Sequence, residues 1–517
     1  MLAEIIGMRS LIVAAFLLLA GGSSIAQKIS YSEPDREDVR NLNFEVIGKM
    51  NDHFLIYKNY RDNHTITTYD NNMKVVKKHT LDFMPDRTIN VDFIYYKDFS
   101  YLFYQYQRRS IVYCMAAKLD GNGEIVGEPL LLDTTDISYS SSKKLYTILN
   151  SDDKEKIGVL KINTKNDKLH LVTLSLFTSK LGLIRKSRMG IAMDERNAFL
   201  NEFVLDNEGD LAFLRASGTS QNDNITRLDL VIKPAVSDTA RFASIDLMNL
   251  FMDDIRLKVD NVNKHYLLTS FYSKSKRGNV DGLYCSLWDK NSASILANNN
   301  TTFSEELRNE AKGDGSVKTA FNDFFLQNIV MRKDGGFAIA AESVYTSSRS
   351  GPNSRWDYMN GGWGSPFYSP YNYYAWGSPF NNYYYPWGRY GGFGGFQVTR
   401  YYADNIAVMS FDTTGTMEWA NIIRKSQYDD NSDNYLGYGT MRTGSEIHFV
   451  FNQLEKRNLL LNDQSITADG QIHRSPTFKN LDKGYSFMPR FAKQVSSYQM
   501  IVPCEYRNYI CFAKVEF

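Results

Sequence analysis

The segment from Ala403 to Lys425, ADNIAVMSFDTTGTMEWANIIRK, constrains this chain more than any other. It reads as a strand, a tight turn and a returning strand. Asn405 to Phe411 alternates in polarity and is rich in β-formers, and Thr416 to Ile423 runs back. Between them lies Asp412-Thr413-Thr414-Gly415. An Asp that opens a turn accepts a bond from the backbone two residues on, and Gly supplies the φ > 0 position that closes it. Weaker copies of this hairpin recur at intervals of roughly 45 residues. The chain therefore reads as all-β, with strand formers dominating its recognisable segments.

Taken in order, the strands fall into units of four. Unit one is Asn43 to Gly48, His53 to Asn59, His64 to Asp70 and Lys74 to Leu81. Unit two runs from Val91 to Leu132, its last strand expected at Glu124 to Leu132 after the turn Asp120-Gly121-Asn122-Gly123. Units three, four and five span Lys144 to Ile191, Ala198 to Ile245 and Ile255 to Ala297. Unit six is Phe324 to Met331, Gly336 to Val344, Ile406 to Phe411 and Met417 to Ile423; unit seven spans Tyr435 to Thr477. Unit eight has only three strands, Phe487 to Ala492, Tyr498 to Cys504 and Tyr509 to Val515. Lys28 to Tyr31 is available as the fourth.

This arrangement resembles the β-propeller architecture, in which a strand from one terminus completes the sheet begun by the other. The resemblance implies a single closed propeller over residues 27–517, with about eight four-stranded blades, or seven. Two separate β-sandwiches are the competing fold. The WD dipeptides and GH pairs of WD40 blades are absent. Phe411 to Trp419 is similar to the tryptophan-docking repeat of quinoprotein propellers, but is one residue short between Asp and Gly and occurs once. The sialidase Asp box is not met, so no family residues are carried over.

Arg9 followed by the apolar run Leu11 to Ala20 and the small residues Ser24-Ile25-Ala26 reads as an export signal over residues 1–26. Met8 is an alternative start to Met1. The expected destination is the periplasm or surface of a bacterial-type envelope. No later stretch is long and apolar enough for a transmembrane helix. A formal net charge of +1 gives no drive towards nucleic acid or anionic membrane.

Two insertions stand out. Asn300 to Asn322 interrupts the strand rhythm between units five and six, and Glu305 to Ala311 suits a short helix capped by Ser304. Residues 351–397 split the second strand of unit six from its third. The sequence there is rich in Gly, Tyr, Trp and Pro and repeats Trp-Gly-Ser-Pro-Phe. Trp356, Trp363, Tyr373, Tyr374, Trp376, Tyr384, Tyr385 and Trp387 are its candidate binding residues. Their flat faces suit a sugar ring, another protein or a lipid–water boundary. In a propeller both insertions would emerge on the same face.

Chemical motifs are scarce. No phosphate-binding loop follows a strand. The seven His include no pair with ligand spacing on one element, so no metal or cofactor is expected. Asp253-Asp254 and Asp429-Asp430 suit solvated turns better than a catalytic or Ca²⁺-binding pair. Lys77-Lys78, Arg108-Arg109 and Lys143-Lys144 do not form a continuous basic patch. Cys114 and Cys285 read as core residues. Cys504 and Cys511 face each other if Arg507-Asn508 is a two-residue turn, either as a disulfide or as packed thiols.

These features point to a non-catalytic exported binding or scaffolding protein, whose partner is an envelope protein or a glycan. A carbohydrate-active propeller enzyme and an adhesive, self-assembling surface protein are the alternatives. The oligomeric state is open.

Overall fold

Asp side chains shape the turns of this chain in one recurring way. Asp412 Oδ1 accepts from the amides of Thr414 at 2.8 Å and Thr416 at 2.9 Å. Asp70, Asp120 and Asp206 do the same for the residues two and four positions on, at 2.8–2.9 Å. Gly415 then turns the chain at φ 79°. A Cβ there would stand 2.1 Å from Cys285 Sγ, so Gly serves both the turn and the packing against unit five.

The computed structural model describes residues 28–35, 42–137, 144–166, 168–193, 198–218, 224–313, 315–348, 351–352, 400–430, 433–455, 458–475 and 484–517. The export-signal reading falls outside them. Among the described residues, the strands pair into seven antiparallel sheets. Units one, two, three and seven are separate four-stranded sheets in plain chain order. Units four and five form one eight-stranded sheet, joined through the single pair Ile225–Met252. Unit six is extended by two short strands, Gly351–Pro352 and Tyr428–Asp429. The chain is thus all-β, and its successive four-stranded sheets are consistent with a β-propeller. No helix among the described residues is long and apolar enough to cross a membrane.

The last sheet joins the two ends of the chain. Lys28–Tyr31 runs antiparallel to Tyr509–Glu516, with Lys28 opposite Glu516 and Tyr31 opposite Ala513. Ser32 Oγ accepts from Phe512 N at 3.0 Å, and Asp35 N donates to Ile510 O at 2.8 Å. Asp35 also pairs with Lys58, a buried side chain of unit one.

Apolar packing follows the same order. Each buried cluster is shared by successive units. Ile47, Leu55 and Tyr57 of unit one pack with Val91, Leu102 and Tyr104 of unit two. Ile406 and Val408 of unit six pack with Phe449 and Phe451 of unit seven. Phe44, Val46 and Ile56 of unit one meet Ile501, Ile510 and Phe512 of unit eight. Each such side chain contributes about 1.5–3 kcal/mol when fully buried.

In several units the two edge strands differ in burial. The first strand of unit three, Tyr146–Asn150, has every residue inside, and its fourth, Leu183–Ala192, is largely exposed. The fourth strand of unit one, Val75–Thr80, is exposed as well, whereas unit six shows no such contrast. First strands touch between units one and two, three and four, four and five, five and six, seven and eight, and eight and one.

Three expectations need correction. The fourth strand of unit two is Leu130–Asp136, and Glu124 to Gly127 makes only the isolated bridge Leu119–Ile125. Gly127 at φ 78° breaks the run, and Pro129 has no N–H for the ladder. The fourth strand of unit five continues to Thr302, so the helical insertion begins later than Asn300. Its helix, α1, is Glu305–Ala311, and Ser304 Oγ accepts from Leu307 N at 3.2 Å. Residues 487–492 are not one strand. Tyr485–Phe487 ends before a 3₁₀ turn at Pro489–Phe491, and pairing resumes at Lys493–Ser496.

Candidate functional site

The first strands of several sheets carry buried charge. β-Bulges interrupt the first strands between Val46 and Gly48, Thr88 and Asn90, Asn201 and Val204, and Met252 and Ile255. A bulge adds a residue to one strand and re-aims the side chains that follow. Glu202 sits within one, at φ 56°. Asp253 and Asp254 sit within another and are 6% and 4% exposed, which overturns their reading as solvated turn residues.

Most of these charges are matched by a cation. Lys144 Nζ lies 3.1 Å from the Asp92 carboxylate, and Asn90 Nδ2 donates to Asp92 Oδ2 at 2.8 Å. Arg256 bridges Glu202 at 3.4 Å and Asp254 at 3.2 Å. Glu202 also accepts from Leu257 N at 3.2 Å, and Asp254 from Leu326 N at 2.6 Å. Burial nevertheless holds the carboxyls of Asp92 and Glu202 above their usual range.

Glu45 is the least compensated. Its nearest cation, Lys493 of unit eight, is 3.9 Å away. Burial pushes Glu45 up to about 7; Lys493 opposes the push and the charge of Asp92 adds to it. A third of the Lys493 side chain meets solvent, yet the surrounding protein pulls its ammonium below the usual range. A carboxyl that titrates near neutrality beside a lysine is the kind of group that can exchange a proton during binding or catalysis.

A second region lies at the root of the aromatic insertion. Phe337–Ser348 and Arg400–Phe411 are twelve-residue strands, longer than the expected Gly336 to Val344 and Ile406 to Phe411. They stay paired outward as far as Ser347 opposite Arg400. Tyr345 and Tyr402 stack at 4.5 Å, and Tyr345 Oη donates to Asp404 at 2.9 Å. Arg400 pairs with Asp430, 3.1 Å between Nη2 and Oδ2, and lies over the Tyr428 ring at 4.8 Å. Helix α1 adjoins this root: Leu307 and Ala311 are buried with Ala407 and Ile422, and Asn405 Nδ2 donates to Ala311 O at 3.5 Å.

Beneath the root, Lys425 Nζ lies 2.8 Å from Glu342 and donates to Ala403 O at 2.6 Å and Gln427 Oε1 at 3.0 Å. Gln427 then bonds Gly437 N and Asn452 O of unit seven, at 2.8 Å each. This network fixes the base from which the insertion leaves. Trp356, Trp363, Tyr373, Tyr374, Trp376, Tyr384, Tyr385 and Trp387 lie outside the described residues.

Three carboxylates, Asp206, Glu208 and Asp210, converge on a turn of unit four. Lys290 of unit five occupies their centre, at 2.5, 2.5 and 2.9 Å. Burial lowers the Lys290 pKa, but the bonds from these carboxylates more than offset it and hold it above the usual range. Bonds from Lys264 and Lys290 hold Glu208 at about 2. The cluster is a clamp between two units, with an ammonium where an ion would sit.

Cys504 and Cys511 are direct partners across the hairpin turned by Arg507 (φ 52°) and Asn508 (φ 67°). They are free thiols, fully buried, with Sγ atoms 2.9 Å apart. Cys114 and Cys285 are buried in the core.

Sequence reasoning passed over Glu45, Asp92, Glu202 and Lys493. A local signal exists in Phe44-Glu45-Val46 and Val91-Asp92-Phe93, where an acid stands between apolar strand residues.

No family model matches the chain, and no curated protein matches it. Among solved structures it is similar to a prolyl endopeptidase, at 9% identity and TM-score 0.41, covering 91% of this chain and 55% of that one. It is also similar to an ulvan lyase of a polysaccharide lyase family, at 10% identity and TM-score 0.35, covering 81% and 90%. A Synechocystis apocarotenoid oxygenase is similar at 9% identity and TM-score 0.34, covering 96% and 94%. The chain thus spans about half the length of the prolyl endopeptidase. Likeness at these scores carries nothing about chemistry, and the architecture rests on the strand pairing alone.

Proposed function

We propose that the chain closes as a ring of eight blades and serves as an exported, non-catalytic binding or scaffolding protein of a cell envelope. The cyclic order of shared apolar clusters supports the closed ring, because unit one packs against unit eight as it does against unit two. The contrast between a buried first strand and an exposed fourth strand, clearest in unit three, supports an axis at the first-strand edges.

One observation carries the functional reading. The paired strands Phe337–Ser348 and Arg400–Phe411 lead the aromatic insertion off a base fixed by Lys425, Glu342 and Gln427. Long loops on a rigid base are where recognition concentrates. In this reading the insertion, with α1 beside it, contacts an envelope protein or a glycan. A few buried Trp or Tyr side chains, each worth about 2 kcal/mol or more, suffice.

The test deletes Gly351 to Phe396 and compares the two forms on a glycan array, in crosslinking to envelope proteins and by solution mass. Loss of a glycan or protein contact with unchanged mass supports the reading. Binding retained after deletion refutes it. Oligomers that dissolve on deletion favour self-assembly instead.

The Glu45 carboxyl favours a second reading, a carbohydrate-active enzyme with an acid on the axis. Glycan turnover by the full chain that Glu45→Gln abolishes would establish it.

A further inference from the structure

The hairpin that completes unit eight holds two cysteines against each other. Gln499–Tyr506 and Tyr509–Glu516 pair in register from end to end, and Cys504 stands directly opposite Cys511. Arg507 and Asn508 set that register, since both take the left-handed conformation that a two-residue hairpin turn needs. Paired residues of antiparallel strands have Cα atoms about 4.5–5.5 Å apart, and a disulfide accepts about 4.4–6.8 Å. The backbone is therefore already spaced for a bond. The Sγ atoms lie 2.9 Å apart. That is roughly 0.9 Å beyond bonding distance, a gap that a small rotation about each Cα–Cβ bond closes.

The surroundings give these thiols no other task. Both are fully buried in one apolar cluster with Met441 and Val450 of unit seven and Phe487 and Met500 of unit eight. Among the described residues, no His, Asp, Glu or further Cys joins them in a group that could hold a metal. Cys511 Sγ donates to Cys504 O at 3.2 Å, within the same hairpin. Burial and the adjacent Cys511 thiol push Cys504 well above the usual thiol range. The nucleophile in thiol–disulfide exchange is the thiolate. The packed pair is therefore inert, and a bond has to form while the hairpin is still open to solvent. Cys114 and Cys285 stand apart from the pair and from each other, in the clusters shared by units two and three and by units five and six.

We propose that Cys504 and Cys511 form a disulfide during folding, before unit eight packs, and that the bond locks the hairpin that receives Lys28–Tyr31. The oxidant is a disulfide donor, either a thiol oxidoreductase or a low-molecular-weight disulfide, of the kind that an oxidising compartment supplies. The thiolate of one cysteine attacks a donor sulfur, forming a mixed disulfide and releasing one donor thiol. The thiolate of the other then attacks that cysteine's Sγ, the Cys504–Cys511 bond forms, and the second donor thiol leaves. Two protein thiols give up two electrons and two protons, and the donor disulfide takes them up as two thiols. The link fixes the register of the closing hairpin before the first strand docks on it. Once unit eight has packed, the bond is out of reach of a soluble reductant.

The test refolds the full chain from urea in reduced and oxidised glutathione, blocks free thiols with N-ethylmaleimide in denaturant, and weighs the tryptic peptides. Cleavage after Arg507 separates the two cysteines unless they are bonded. Blocked Cys114 and Cys285 with a linked Cys504–Cys511 peptide pair are expected. Blocking of all four cysteines overturns the proposal, as does a link that involves Cys114 or Cys285. A chain folded under reductant and then moved to the same glutathione buffer without urea should oxidise at least tenfold more slowly; equal rates overturn the order of events. Reductant in a urea titration should lower the midpoint of the oxidised parent and leave a chain carrying Cys504→Ala and Cys511→Ala unmoved. A parent midpoint that does not fall overturns the lock.

Discussion

Lys425 and Lys493 each meet a carboxylate inside the molecule, on opposite terms. Lys425 and Glu342 are 1% and 3% exposed and 2.8 Å apart, and the ammonium also reaches a carbonyl and an amide oxygen. Lys493 is 3.9 Å from Glu45, and Glu45 is its only ion-pair partner among the described residues. An ammonium has three donors, and burying it is tolerable when all three are used. Lys425 meets that condition and acts as a joint between units six and seven. Lys493 and Glu45 leave capacity unused, so their protonation is free to respond to pH or to a ligand.

Breaking the joint should have the largest effect. Lys425→Met leaves Glu342 buried and unpaired, at an expected cost of about 3–5 kcal/mol, read from the urea midpoint. A loss no greater than that of Lys493→Met would erase the distinction.

The pH dependence of stability comes next. Glu45 titrates near 4.5 when unfolded and is pushed up to about 7 in the fold. The folded state therefore holds its proton more tightly. Stability should fall as pH rises from about 4.5 to about 7, by on the order of 3 kcal/mol in all. Glu45→Gln should flatten that slope in denaturation curves taken across the window; an unchanged slope would show that Glu45 is not its source.

Lys290 lies between the two lysines, with three carboxylates but 17% of its side chain exposed. Lys290→Met should cost about 2 kcal/mol, because the half-exposed Glu208 can be rehydrated and the buried Asp206 and Asp210 keep the donors Tyr266 Oη and Ala235 N. Lys493→Met should cost about 1 kcal/mol, since a loosely held and partly exposed pair contributes little. Thermal or urea midpoints that do not rank these three lysines in this order would sever stability from donor saturation.

Much of the fold was legible because its signals are local. Asp412 and Gly415 announce their turn within four residues, and Asp70, Asp120 and Asp206 repeat the device. The shortfall of unit eight pointed to Lys28–Tyr31, which does pair there. Pro129 was visible too, and moves a strand that the turn before it had suggested. The buried charges on the first strands were hidden for a different reason. A bulge is a property of two paired strands, so Asp253-Asp254 looked like a turn until Ser270 and Tyr272 fixed the register around it. The aromatic residues singled out from the sequence fall outside the described residues, and only the root that carries them is seen.

The pairing of Lys28–Tyr31 with Tyr509–Glu516 has a consequence for how the molecule is made. A ribosome delivers the first of these strands long before the second. Throughout synthesis the early strand has no partner, and the growing stack ends in an open edge able to pair with a neighbouring chain. Assembly therefore finishes only when the final hairpin, Gln499–Tyr506 and Tyr509–Glu516, arrives to receive it. A chain truncated before that hairpin is left with an unsealed seam.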